Sequence, residues 1–114
     1  MDPKRPWECA DMSQVRTEID QIDDQLVDLI AARFGYVERA WQLKNNPAEA
    51  RVPWRIQQVI DRVKERAAAK GLPEEMVDMV ASQWRTMIGW FVQFEEEKLR
   101  QAQEAAGKAG GNGA

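Results

Sequence analysis

The sequence predicts an all-α fold of three helices, long, short and long, without strands. Three observations carry this. Apolar residues recur three and four positions apart from Val15 to Trp41, Pro53 and Gly71 bracket a second and shorter stretch, and Pro73-Glu74-Glu75 opens a third. In the first stretch, Asp11-Met12-Ser13-Gln14 reads as an N-cap followed by a polar N3 residue, close to a capping box. Val15, Ile19, Ile22, Leu26, Leu29, Ile30, Val37 and Trp41 then mark one helical face, with Gly35 a weak interior position. Nothing breaks that pattern before Asn45-Asn46-Pro47, so the first helix is about 32 residues and roughly 48 Å long at ~1.5 Å per residue. A compact domain of this size has a radius of gyration of only ~13 Å, so two short neighbours cannot cover such a helix. A second chain is the simplest cover.

Residues 45 to 52 form a polar, Pro-containing loop beside Lys44, a candidate lid. Pro53 suits the first position of the second helix, whose Ile56, Val59, Ile60, Val63 and Ala67 share a face and whose C-terminal stop is Gly71. The third helix begins with acidic residues at the positive end of its dipole and carries Met76, Met79, Val80, Trp84, Met87, Ile88, Phe91 and Leu99. From about Gln101 the composition turns to Ala, Gly, Gln and Lys, which suits a frayed or disordered end. The expected organisation is an N-terminal extension at 1–10, a helical domain at 11–100 and a flexible tail at 101–114.

Composition narrows the function. Of the 114 residues 44% are apolar and 31% charged, as in an ordinary water-soluble helical protein. The net charge of -3 supplies no basic face for general nucleic-acid binding. No apolar run approaches the roughly 20 residues of a membrane span, and the first residues lack the apolar core of a signal peptide. A cytoplasmic location is expected. Cys9 is the single cysteine and there is no histidine, so neither an internal disulfide nor an ordinary zinc site is expected.

Arg33 and Lys44 are separated by about 20° around a continuous helix and roughly 16.5 Å along it, close enough for long side chains to grip one small dianion. Arg33 falls on the apolar stripe, where a charge is costly without a partner; snorkelling or pairing with an acid is the plainer explanation. For Lys44 the plainer role is to complement the helix C-terminal dipole. Arg16 lies roughly 25 Å before Arg33 and about 100° around the helix, so no small molecule touches both from one chain. Arg16 is either a surface arginine or a partner's contribution to the site. Arg55 places a cation in the first turn of the second helix, an unfavourable position unless an anion is near. Glu95 continues the phase of Trp84, Ile88 and Phe91, which makes it an ionisable group on an apolar stripe; the alternative is that Glu95-Glu96-Glu97 is a solvated acidic run. Gln93 points nearly opposite Trp84. With no glycine-rich phosphate loop, metal-ligand cluster or nucleophile–base pair, these residues suit chemistry driven by positioning and electrostatics.

Val15-Arg16-Thr17-Glu18-Ile19-Asp20-Gln21-Ile22-Asp23, Ala32-Arg33-Phe34-Gly35-Tyr36-Val37 and Gln42-Leu43-Lys44 strongly resemble the first helix of the all-α chorismate mutase family. Glu8-Cys9, Val52-Pro53, Trp54-Arg55-Ile56 and Met87-Ile88-Gly89-Trp90-Phe91 look like its isochorismate-pyruvate lyase branch, which forms salicylate, and the resemblance covers roughly residues 8 to 97. It implies the type II chorismate mutase fold, an intertwined homodimer, and a pericyclic reaction of isochorismate or chorismate without a cofactor. It further implies that Arg33, with Arg16 of the other subunit, binds the substrate carboxylates. Lys44 would donate to the enolpyruvyl ether oxygen as the C–O bond breaks, and Arg55 would assist the anion. Glu95 would stand where the family carries Gln, or in some members Glu, against the same oxygen; Val37, Ile56 and Phe91 would line the cavity.

Two departures bear on this. Mutases usually carry Glu at the position of Ile56, to bond the ring hydroxyl of chorismate, and its loss tilts the reading towards the lyase. An ionised Glu95 would repel an oxygen gaining charge, so activity is expected to rise as pH falls and Glu95→Gln to flatten the profile. The alternatives are a dedicated mutase for chorismate or 4-amino-4-deoxychorismate and, from a different class, a non-catalytic helical dimer that binds a carboxylated metabolite or a partner helix.

Overall fold

A computed structural model describes residues 3–112, with side chains through 108. Its elements are α1 (Met12–Gln42), α2 (Pro53–Ala69) and α3 (Glu74–Asn112), with single 3-10 turns at Pro6–Glu8 and Pro47–Glu49; no strand occurs among the described residues. The long-short-long order of helices is therefore present. The chain divides into two compact units, one ending at Tyr36 and one beginning at Val37.

The first unit is the 3-10 turn and most of α1. Asp11 caps α1, accepting from the Gln14 backbone N–H at 2.9 Å, while Gln14 reaches back to the N–H of Ala10 at 2.7 Å. This is the reciprocal arrangement of a capping box, displaced by one residue. Along the apolar stripe of α1, Ile22, Leu26 and Leu29 are 54%, 50% and 66% exposed.

The second unit is a helical hairpin. Pro53 begins α2, where its missing N–H costs nothing. The helix closes with the paired bonds of a Schellman motif, Leu72 N–H to Ala67 C=O at 3.2 Å and Gly71 N–H to Ala68 C=O at 3.0 Å. Gly71 takes φ 85°, left-handed backbone in which a Cβ is strained. Pro73 C=O then accepts from Met76 and Val77 to start α3, with Glu74 and Glu75 in its first turn. The core joins Ile60 of α2 to Ala81, Ile88, Val92 and Leu99 of α3, with Ala50 from the connection before α2. The expected face of α2 is the covered one: Ile60 and Ala67 are buried and Ile56 and Val59 pack against the cluster.

Two boundaries differ from the sequence expectation. First, α1 ends at Gln42, so Lys44 lies beyond the helix. Pro47 cannot donate, and it forces Asn46 into extended backbone (φ -152°, ψ 160°), leaving no room for another α-helical turn. The last turn tightens instead, with Leu43 N–H on Ala40 C=O and Lys44 N–H on Trp41 C=O, both at 3.2 Å. Second, α3 continues past Gln101 to Asn112. Gln, Ala and Glu are good helix formers, and Arg100 ties Glu97 and Glu104 on adjacent turns. Positions 113–114 of the expected tail, like positions 1–2, lie outside the described residues.

Candidate active site

Glu95 is the one buried charged residue among those described, 7% exposed on the face of α3 that carries Ile88, Val92 and Leu99. The heptad-like spacing of Ala81, Ile88, Val92, Glu95 and Leu99 brings it inward. Gln93 is exposed and Glu96 and Glu97 lie nearer solvent, so the acidic run is not uniformly solvated. A carboxylate taken out of water in apolar surroundings is costly without a counter-charge. Lys44 supplies it: its Nζ donates to Glu95 Oε2 at 2.5 Å, with the Lys44 side chain 24% exposed.

This contact was not legible in the sequence as a contact. The family resemblance implies that both residues face one ether oxygen, each from its own helix. A cation and an anion aimed at the same atom must neighbour one another, and that was the available signal. The helical phase that would align Lys44 with Arg33 stops at Gln42. What places Lys44 is the turn after α1, from which the chain runs into the core through Ala50, 6% exposed.

The remaining expected residues fall as follows. In the second unit, Val37 and Phe91 are half-buried, and Ile56 packs against the apolar cluster. Arg55 is exposed on the first turn of α2, donating Nη1 to Gln58 Oε1 at 2.8 Å. In the first unit, Arg16 is exposed and Arg33 half-buried on α1. Of the expected site residues, Lys44 and Glu95 are brought into direct contact. Two groups near Lys44 were missed. Trp41 packs on the core with its indole Nε1 buried and without a hydrogen-bond partner among the described residues. Glu49 accepts from the Asn45 backbone N–H at 3.1 Å and from the Asn46 amide at 3.2 Å. Their signals were weak ones: an aromatic residue on the apolar stripe, and an acid in a loop that looked merely polar.

Chemically, an ammonium held in a largely apolar place is a preorganised partner for an oxygen that gains negative charge, and it needs no reorganisation when that charge appears. A profile of the chorismate mutase type II family matches residues 15–96, a span that contains Arg16, Arg33, Lys44, Arg55 and Glu95. An isochorismate pyruvate lyase of Pseudomonas aeruginosa is 27% identical over 103 residues, which covers 90% of this chain and 99% of that protein. With most of its length matched and its helices in the expected order, the chain belongs to the chorismate mutase type II family.

Proposed function

We propose that this chain is a pericyclic enzyme that cleaves isochorismate to salicylate and pyruvate, with rearrangement of chorismate to prephenate as a second activity. The observation that carries the reading is the part-buried Lys44–Glu95 pair at 2.5 Å. It puts one ammonium where a substrate oxygen can replace or share the carboxylate. As the bond between ring and enolpyruvyl oxygen breaks, charge gathers on that oxygen and Lys44 stabilises it. Only the interaction that strengthens along the reaction accelerates it.

Preference for the lyase rests on Ile56. It packs on the apolar cluster and offers no hydrogen bond to a ring hydroxyl. The lyase named above supports the same preference by similarity. In this reading Arg33 and Arg16 of a second subunit hold the two carboxylates, Arg55 adds positive potential, and Val37 and Phe91 shape the cavity. The chain works as a homodimer on a small anionic substrate, without a cofactor, in the cytoplasm. Among the described residues no helix is long and apolar enough to cross a membrane.

The test is to offer each compound separately to the purified protein. Salicylate from isochorismate, faster than prephenate from chorismate, is expected. Prephenate alone would make the chain a mutase, and turnover of neither would favour a helical dimer that only binds a carboxylated metabolite.

A further inference from the structure

Lys44 lies just beyond α1, and its own N–H is held by Trp41 C=O at 3.2 Å, the last tie to the helix. On its other side, the N–H of the peptide joining Lys44 to Asn45 is held by Glu49 Oε2 at 3.1 Å. The other oxygen, Glu49 Oε1, accepts from Asn46 Nδ2 at 3.2 Å. Asn46 Oδ1 in turn accepts from the Ala48 N–H at 3.0 Å and caps the 3-10 turn Pro47–Glu49. Directly after that turn, Ala50 is seated in the core at 6% exposure. The chain is thereby held at both ends of the connection, by the core at Ala50 and by the Glu49 carboxylate at the peptide of Lys44. We propose that Glu49 is a positioning residue that fixes the backbone of Lys44, so that its ammonium meets Glu95 and, during turnover, the substrate oxygen.

Catalytic groups lose rate steeply when displaced, about 100-fold for ~1 Å in unfavourable cases. A carboxylate bonded to the peptide next to the catalytic lysine acts on that displacement. The nearby Arg51–Glu96 pair is a poor substitute, since its groups are 3.9 Å apart and both largely exposed. The catalytic consequence rests on the pericyclic reading above; the placement of Lys44 does not.

The experiment uses the full chain and two readouts. The first needs no substrate: the rate at which dilute acetic anhydride acylates Lys44, followed by peptide mass spectrometry against exposed Lys70 as internal reference. The second is kcat and KM on whichever compound the protein turns over. Glu49→Ala is expected to raise Lys44 labelling about three- to tenfold. It should lower kcat about tenfold with KM shifted less than about threefold, the split expected when a group acts in the transition state. Glu49→Gln, which keeps an acceptor for the Asn45 N–H, should return both readouts to within about twofold, and Arg51→Ala should leave them there. Asn46→Ala attacks the same clamp from its other member and should move both readouts in the direction of Glu49→Ala. Wild-type labelling in both Glu49→Ala and Asn46→Ala overturns the proposal, as does a loss of kcat that Gln fails to rescue. If the unaltered protein turns over neither compound, the pericyclic reading falls and the labelling alone decides the role of Glu49.

Discussion

Lys44 and Glu95 illustrate how one contact serves stability and chemistry at once. Each neutralises the other in a place where an isolated charge is costly. Lys44→Ala therefore does more than remove a donor, because it strands the Glu95 carboxylate. The structure predicts a loss of about 1–3 kcal/mol, less than for a fully buried pair because Lys44 is partly solvated. Chemical denaturation should show that loss, and Lys44→Ala/Glu95→Gln should recover most of it while turnover stays at least about 100-fold down, since the amide cannot replace the ammonium. A single variant as stable as wild type would mean that the pair is worth little. Glu95→Gln by itself removes the carboxylate that pairs with Lys44 and keeps a side chain of the same shape.

At the level of elements, α2 and α3 owe their relative placement to a short reversal that depends on Gly71. With φ at 85°, an alanine there meets no neighbouring atom within 4 Å, so the cost of Gly71→Ala is conformational. It should be about 1 kcal/mol, read as a lower melting temperature without loss of helix at room temperature. The far end of α3 makes a different prediction. The hydrogen bond from Arg100 is the main cause holding the Glu97 carboxyl below its usual value, against an opposing push from desolvation. A lowered value in the folded state means a contribution that is full at and above the usual glutamate range and disappears as pH falls through the lowered one. The protection of backbone amides around residues 97–104, relative to their intrinsic exchange rates, should therefore fall in acid before the core unfolds. The effect should be small, because both groups are solvated. Arg100→Ala should abolish the difference.

On the scale of the whole molecule, the apolar stripe of α1 bears on the proposed homodimer. Ile19, Ile22, Leu26 and Ile30 are 49%, 54%, 50% and 47% exposed, at helical spacing along one element. Burying such side chains contributes about 1.5–3 kcal/mol each when complete, and in the proposed homodimer a second copy would supply the matching surface. Sedimentation is expected to give two chains per particle, and melting should shift upwards with protein concentration. Leu26→Lys should split the particle and remove activity together, since the proposed site needs Arg16 from the other subunit. A monomer that keeps full turnover would sink the shared site.

The sequence by itself determined three helices, their order, the covered face of α2 and the inward aim of Glu95. Those features follow from local rules: the 3.6-residue period, a proline that starts a helix, and a glycine that ends one. Only the tertiary structure decided that Lys44 lies past the end of its helix, that Glu95 is its direct partner, and that Glu49 holds the intervening peptide. Lys44 and Glu95 are far apart along the chain, and no periodicity within either segment registers one against the other. Their meeting depends on how far the turn after Gln42 carries the backbone, and Pro47, the Asn46–Glu49 network and the seat of Ala50 in the core set that together.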